Sequence, residues 1–184
     1  HRPSGNLLEF RCQSCGKPLE VRLKHDFNPK QIQEKTHSLW RYREFFPYVK
    51  ENHIMTLGEG WTPQVKFAKK VYLKLDNMNP TGSFKDNGMV CGVAQALRLG
   101  MKRVACVSTG NTSASMAAYA AAAGLEALIF LPHGNIAFSK LAQALEYGAK
   151  TLEVEANFDE ILALVRVLAD KLGIYLLNSV NPFR

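Results

Sequence analysis

Residues 103–124 read RVACVSTGNTSASMAAYAAAAG, and this stretch decides the fold. Its first five residues, RVACV, are mostly apolar and are predicted to form a strand. A turn of small polar residues follows, and an alanine-rich run then ends at Gly124, the residue type that most often closes a helix. A strand, a polar turn and a helix in this order are typical of a parallel α/β sheet.

The same unit recurs on both sides of this stretch. Further strands are predicted at VYLKL (71–75), EALIFL (126–131), KTLEV (150–154) and IYLL (174–177), and further helices at about 84–99, 136–147 and 158–172. This alternation predicts an α/β fold in three layers, a parallel sheet with helices on both faces and right-handed crossovers. Ligands of such sheets bind where the carboxyl ends of strands lead into helix N-termini.

The composition favours a packed, soluble protein. Apolar residues make up 47% of the 184 residues and charged residues 21%, which is ordinary for a chain with a core. The net charge is +7, but the basic residues are scattered among acids, so we expect no nucleic-acid partner. No apolar window is long enough to cross a membrane and no secretory signal is visible. We therefore expect a cytoplasmic protein, or an organellar one if a leader was removed.

The sequence CQSC, formed by Cys12 to Cys15 and followed by a glycine, is typical of the knuckle of a zinc ribbon. Tetrahedral zinc needs two more ligands, and His25 and His37 are the only nearby candidates. We therefore interpret the motif as a degenerate or unoccupied knuckle, name Cys12 and Cys15 as weak candidate ligands, and assign no metal. The other two cysteines lie in apolar runs and are predicted to be core residues.

The stretch NPTGSFKDN (79–87) places Lys85 in a small, uncharged turn before an apolar run. Ser83 and Asp86 have the spacing of a capping box, which would put Ser83 at the N-cap and Lys85 in the first helical turn. The positive end of a helix and desolvation both disfavour a protonated amine, and a neutral amine is the nucleophile that a Schiff-base lysine needs. The alternative is an exposed lysine on an amphipathic helix.

Three predicted strand ends lead into turns of small polar residues. They are NPTGSFKD, STGNTSAS (108–115) and NSVNPFR (178–184). Helix N-termini carry unpaired amide donors and partial positive charge, so such turns suit carboxylates and phosphates. None of them matches a P-loop or a dinucleotide-binding fingerprint.

NPTGSFKD followed by STGNTSAS resembles the pyridoxal-phosphate enzymes of the tryptophan-synthase-β fold, which is fold type II. Within that group the chain is similar to threonine synthases, through the strings LGEGWTP (57–63), LKLDNMNPTGSFKDNGM (73–89), KLAQALEYGA (140–149) and LLNSVNPFR (176–184). The resemblance runs from about residue 57 to the last residue and corresponds to the N-terminal half of the family's chain. A start of the form C-x-x-C-G is also seen in members of the family.

The resemblance implies roles for individual residues. Lys85 would form the Schiff base with pyridoxal 5'-phosphate and then move protons at Cα and Cβ of the substrate. Asn111 would hydrogen-bond the cofactor's phenolic oxygen. Substrate contacts would come from Ser108, Thr109 and Thr112 and, at the phosphate, from Asn178, Ser179 and Arg184. The family reaction converts O-phosphohomoserine and water to threonine and phosphate. Plain N-capping by Asn and Thr is the other interpretation of STGNTSAS, and a solvated terminus that of Arg184.

The resemblance also implies a division into domains. Residues 1–56 would be an N-terminal arm, 57–83 part of a large domain, 84–176 a small α/β domain, and 177–184 the return to the large domain. Family members continue for a comparable length after NPFR, and that part supplies the glycine-rich cradle for the cofactor phosphate. We therefore expect a truncated chain that holds the cofactor weakly and exposes apolar surface, and that pairs as a homodimer. An arginine is common in the family where this chain has Asn87, which puts a local ion pair in doubt.

Two other functions remain open from the sequence. Another fold type II enzyme, such as a serine or threonine dehydratase, would lack a phosphate pocket at 178–184. A non-catalytic remnant would act as a binding module through its basic, aromatic N-terminal arm. The expected partner is otherwise a small phosphorylated amino acid, without a membrane or a nucleic acid.

Overall fold

A four-stranded parallel sheet forms the centre of the computed structural model, which describes residues 11–22, 26–134 and 138–184. The strand order is β5-β4-β3-β6, and a separate two-stranded antiparallel sheet consists of β1 and β2. The strands are β1 Gln64–Ala68, β2 Val71–Lys74, β3 Arg103–Val107, β4 Glu126–Pro132, β5 Lys150–Val154 and β6 Ile174–Leu176. The α-helices are α1 Lys85–Arg98, α2 Asn111–Ala122, α3 Phe138–Glu146 and α4 Phe158–Leu172.

The predicted α/β fold with three layers is confirmed, because alternate residues of β3, β4 and β6 enter two different cores. On one face, Val104, Ile129 and Leu177 pack with side chains of α1, α2 and α3. On the other face, Phe130 and Leu176 pack with the buried residues of α4. Burial on both faces explains why these strands read as continuous apolar runs.

The segment VYLKL forms a strand, as predicted, but it does not belong to the parallel sheet. VYLKL was counted as the first strand of the alternating series, but Val71–Lys74 pairs antiparallel with Gln64–Ala68 in a hairpin. Every residue of both hairpin strands is exposed. The strand β1 was not predicted, since its sequence QVKFA gives only two apolar residues in alternation and no long apolar run. The helix predicted at 136–147 begins partly outside the described residues and is seen from Phe138.

The aromatic segment before residue 60 packs onto the sheet domain. Trp40 is 3% exposed and lies in the same core as α1 and α2. Its indole N–H donates to the Met55 carbonyl at 2.7 Å, and Tyr48 contacts Phe183 edge to face, with ring centroids 5.0 Å apart. The segment therefore ties the N-terminal side of the chain to the carboxyl end of the sheet. Among the described residues, no helix has both the length and the apolar character that crossing a bilayer needs.

Candidate active site

Lys85 is the first residue of α1 and follows a tight loop. Gly82 has φ +80°, a conformation that favours glycine, and its N–H donates to the Asn79 carbonyl at 2.8 Å. Ser83 Oγ accepts the Lys85 N–H at 3.2 Å. The Lys85 side chain is half-buried, and its Nζ lies 4.7 Å from the centroid of the Phe84 ring. The amine is thus held at a helix start, as predicted, against an aromatic face.

The capping box predicted for Ser83 and Asp86 is wrong. The residue at the N-cap is Phe84, which makes no side-chain capping bond. The Asp86 carboxylate instead turns away from Ser83 and accepts bonds from the Thr81 N–H at 2.7 Å and from Thr81 Oγ1 at 2.5 Å. It takes a third bond from Ser115 Oγ at 2.6 Å. The spacing of a capping box was present, but tertiary donors on α2 compete for the carboxylate.

Asp86 therefore connects the Lys85 loop to α2. The residue is fully buried, and a buried carboxylate is tolerated only when hydrogen bonds replace its lost water. Three donors and the positive end of α1 supply this compensation. Its partners Thr81 and Ser115 could not be predicted from local sequence spacing. The sequence signal for a buried carboxylate here was an acidic residue directly after Lys85, at the start of an apolar run.

The turn after β3 leads into α2 without a side-chain cap. Gly110 occupies the N-cap, and no capping bond from a side chain is found there among the described residues. The alternative that Asn and Thr of STGNTSAS simply cap this helix is therefore wrong. Asn111 is exposed and opens the helix, while Ser108 and Thr109 are half-buried in the turn. Ser108 Oγ accepts the Gly110 N–H at 3.2 Å. The first amides of α2 are left without a capping side chain and suit an anion.

The segment after β6 returns to the same end of the sheet. The Asn178 carboxamide is buried and bonds the backbone of Val107 twice, accepting from its N–H and donating to its carbonyl at 2.9 Å each. Asn178 thus holds the carboxyl end of β3, and its predicted phosphate contact stays a prediction. Ser179 is exposed, and its substrate role also stays a prediction.

Arg184 joins this segment to α1 and α2. Its Nη2 donates to Thr112 Oγ1 at 2.9 Å. A Cβ on Gly88 would lie 3.1 Å from the Arg184 carbonyl carbon, so α1 passes close to the Arg184 backbone. Burial lowers the pKa of the Arg184 guanidinium from its ordinary value, and the nearby Cys106 acts in the opposite direction. The structure therefore brings the start of α2 and Arg184 into contact, and Asp86 links the Lys85 loop to the same helix.

A second buried carboxylate lies behind this site. Glu59, from the string LGEGWTP, is fully buried and accepts bonds from Thr56 Oγ1 at 2.9 Å and from the Tyr119 hydroxyl at 2.9 Å. Burial raises the pKa of Tyr119, and the negative charges of Glu59 and Asp86 raise it further. Glu59 thus anchors the segment before the hairpin to α2, which the sequence analysis did not foresee.

The Cys12–Cys15 turn has the backbone form of a knuckle. The Gly16 N–H donates to the Cys12 carbonyl at 2.8 Å, and the Cys12 N–H donates to the Lys17 carbonyl at 2.9 Å. Backbone N–H groups of Cys15 and Ser14 lower the pKa of the Cys12 thiol. Within the described ranges, no three His, Cys, Asp or Glu side chains cluster as metal ligands. His25 lies outside those ranges, and His37 stacks on Trp61 with ring centroids 5.0 Å apart.

Comparison with known proteins gives one family. The model of the family described as "Pyridoxal-phosphate dependent enzyme" matches residues 55–184. The threonine synthase of Methanocaldococcus jannaschii is 44% identical over 95% of this chain and 46% of its own length. That of Methanosarcina acetivorans is 45% identical over 95% of this chain and 45% of its length, and that of Halalkalibacterium halodurans is 48% identical over 80% and 45%. The chain therefore spans less than half the length of these curated relatives.

Solved structures of low sequence identity share the fold. Escherichia coli diaminopropionate ammonia lyase in its apo form has a TM-score of 0.59 at 18% identity, covering 72% of this chain and 46% of that one. Maize serine racemase has a TM-score of 0.57 at 24% identity, covering 64% of this chain and 38% of that one. At these identities the likeness concerns the fold alone.

Proposed function

The chain belongs to the pyridoxal-phosphate-dependent enzymes, and on that premise we propose that it is the N-terminal part of a threonine synthase. The proposed enzyme converts O-phosphohomoserine and water to threonine and phosphate. Support comes from the identity of 44% to 48% with threonine synthases of three organisms. The proposed activity is that of the whole protein, because this chain spans less than half the length of these threonine synthases.

The residues present fit the cofactor that the family implies. Pyridoxal phosphate offers an aldehyde, which needs an amine, and anionic oxygens, which need N–H donors. Lys85 supplies a half-buried amine at a helix start, and the first turn of α2 lacks a side-chain cap. We assign the cofactor's aldehyde to Lys85 and a hydrogen bond to its phenolic oxygen to Asn111. When bound, the cofactor's pyridine ring accepts the electron pair that a departing Cα proton leaves behind.

The chain's own residues would then act as follows. Lys85, the first residue of α1, would accept and donate protons at Cα and Cβ of the substrate once the substrate has displaced its amine from the cofactor. Ser108, Thr109 and Thr112 contact the substrate along the turn that opens α2. Asn178, Ser179 and Arg184 bind its phosphate, which leaves from Cγ.

One observation carries the proposal, the hydrogen bond from Arg184 to Thr112 at 2.9 Å. It brings a guanidinium to a helix N-terminus without a side-chain cap, and both groups favour a phosphate dianion. A substrate that carries phosphate is therefore supported over one that does not. Burial of Arg184 strengthens its charge interactions because the local dielectric is lower.

The test uses purified protein with added pyridoxal phosphate. We expect a visible absorbance band from the bound cofactor, and phosphate release with threonine formation from O-phosphohomoserine. Lys85→Ala should abolish both, whereas Lys171→Ala, which alters an exposed lysine on α4, should change neither. Phosphate should inhibit the reaction competitively, and Arg184→Met should weaken that inhibition at least about tenfold.

Two outcomes would contradict the proposal. A protein that dehydrates serine or threonine and ignores both phosphate and phosphohomoserine is a dehydratase. A protein whose spectrum does not change when pyridoxal phosphate is added, or changes equally after Lys85→Ala, is a non-catalytic remnant.

The remaining parts of the proposal concern organisation. We place residues 57–83 and 177–184 in a larger domain, 84–176 in a small domain, and 1–56 in an N-terminal arm. A homodimer is supported by exposed apolar side chains of α4, among them Val167 and Leu172 at 51% each. A cytoplasmic location is supported by four free cysteines, which suit a reducing compartment. The relatives are bacterial and archaeal and lend no support to an organellar location.

A further inference from the structure

The string KLAQALEYGA begins with Lys140, whose place in the site is not explained by the roles above. Lys140 lies on the first turn of α3, 55 residues after Lys85 along the chain. Its side chain is half-buried and points across to the loop that precedes α1. The contact joins two of the strings by which the family was identified.

The ammonium group of Lys140 binds the backbone of that loop. Its Nζ donates to the Thr81 carbonyl at 3.2 Å and to Gln143 Oε1 at 3.2 Å. A Cβ placed on Gly82 would lie 3.8 Å from the same nitrogen. A side chain at position 82 would touch the ammonium at an ordinary van der Waals distance, and its cost would come from the backbone strain of φ +80°.

Three atoms of Thr81 form hydrogen bonds with charged side chains, two with a carboxylate and one with an ammonium group. Its N–H and its Oγ1 donate to the buried carboxylate of Asp86, while its carbonyl accepts from Lys140. Hydrogen bonds that involve an ion are shorter and stronger than neutral ones, and Thr81 is 3% exposed. The anion and the cation thus fix the direction of the peptide groups on both sides of Thr81.

Because Thr81 precedes Lys85 by only four residues, fixing these peptides fixes where α1 begins. We propose that Lys140 is a positioning residue for Lys85. It orients the loop that carries the amine and connects that loop to α3, without itself contacting substrate or cofactor. The inference rests on the proposed role of Lys85 as the cofactor-binding amine.

The first measurement does not need the cofactor. Amide hydrogen exchange over residues 79–86 should be at least about tenfold faster in Lys140→Met than in the unmodified protein, since the loop loses an anchor. Lys140→Arg keeps a cation with N–H donors and should stay within about threefold. Lys171→Met is the matched control at an exposed position of α4 and should leave the loop unchanged. Circular dichroism checks that each variant is folded.

The second measurement follows the reaction of the Lys85 amine with pyridoxal phosphate. The rate at which added pyridoxal phosphate develops the visible band should fall about ten- to a hundredfold in Lys140→Met, as expected for a misplaced reactive group. The final band at saturating cofactor should be kept. Gln143→Leu removes the other acceptor of the Lys140 ammonium and should give a smaller decrease of the same kind.

The outcomes separate this inference from the proposed function. Unchanged exchange at residues 79–86 in Lys140→Met overturns the inference, whatever the cofactor does. Faster exchange with an unchanged rate of band formation also overturns it, because the loop would then not position Lys85. If the unmodified protein never forms the band, the proposed function fails, and so does the inference that rests on it.

Discussion

The two sheets of this protein share strand-forming residues, but the hairpin is exposed whereas the parallel sheet buries its strands β3, β4 and β6 and leaves only the edge strand β5 without a buried residue. The hairpin strands β1 and β2 contain Val, Phe, Tyr and Leu, yet all their residues are exposed. In β3, four of the five residues are buried. The parallel strands need crossover helices, and those helices cover both faces of the sheet. The hairpin closes through a short turn at residues 69–70 and brings no helix with it. Strand propensity therefore does not predict burial, whereas the type of connection does.

The largest expected effect is in the parallel sheet. The side chain of Ile129, a residue of β4, is fully buried against the helices on one face of the parallel sheet. Ile129→Ala should lower the free energy of unfolding by about 2–5 kcal/mol, because it leaves a cavity. Val65→Ala in the hairpin should lower it by no more than about 0.5 kcal/mol, since Val65 is 42% exposed. Urea unfolding of both variants checks the difference, and equal losses would break the comparison.

A smaller loss is expected where α1 packs on the sheet. A Cβ on Gly92 would lie 2.6 Å from Leu177 Cδ2, and Leu177 is fully buried. Gly92→Ala should cost about 1–3 kcal/mol by overpacking, which exceeds the gain of about 0.5–1 kcal/mol in helix propensity. Calorimetric unfolding measures it. Adding Leu177→Val should relieve part of the cost, and strict additivity of the two losses would contradict the contact.

Two buried thiols make the stability of the parallel-sheet domain depend on pH, whereas the hairpin strands contain no cysteine. Burial raises the pKa of Cys106 in β3 and of Cys91 in α1 from 9.0 to about 12. The folded state therefore favours the neutral thiol, so stability is fully present below pH 9 and is lost as the pH rises toward 12. Each thiol should lower the free energy of unfolding by about 1.4 kcal/mol per pH unit in that window.

Urea unfolding at pH 8, 9.5 and 10.5 would measure this slope. Cys106→Ala should reduce the slope by the share of one thiol, about 1.4 kcal/mol per pH unit above pH 9. The tyrosines Tyr48, Tyr119 and Tyr175, whose pKa burial also raises, keep part of the slope near pH 10.5. A stability that is constant between pH 8 and 10.5 would show that these thiols ionise as they do in water.

The smallest effect is expected at the most exposed hairpin residue. Phe67 is 73% exposed, so Phe67→Ser should change the free energy of unfolding by less than about 0.5 kcal/mol. Thermal melting measures the change, with Lys66→Ser as the neighbour control on the same strand. A loss above about 1 kcal/mol would mean that the hairpin face is covered in solution, and the contrast between the two sheets would not hold.

Much of the fold could be predicted because local patterns and the final structure agree. The strands at 103–107 and 150–154 and the helix at 158–172 have the predicted bounds. Asn157 and Glu160 form a capping box at that helix, and Gly173 ends it with φ +63°. In such segments the hydrophobic period, the cap and the terminating glycine all predict the same element with the same bounds.

The candidate site could be predicted in its residues but not in their partners. Lys85 was identified from its neighbours, and its position at the start of α1 is confirmed. The capping box at Ser83 failed because the Asp86 carboxylate accepts from Thr81 in the preceding loop and from Ser115, 29 residues later on α2. The contact of Lys140 with Thr81 spans 59 residues, and no local pattern signals it.

By itself the sequence determined the order of the parallel strands and their helices, the three-layer class, and the family to which the residues around Lys85 belong. These depend on periodicity, turn chemistry and short strings, which are local in the chain. Only the tertiary structure decided which strands are buried, where the Asp86 carboxylate points, and that Arg184 and Thr112 meet. Those outcomes depend on competition among donors and surfaces far apart in sequence, and only the folded chain brings the competitors together.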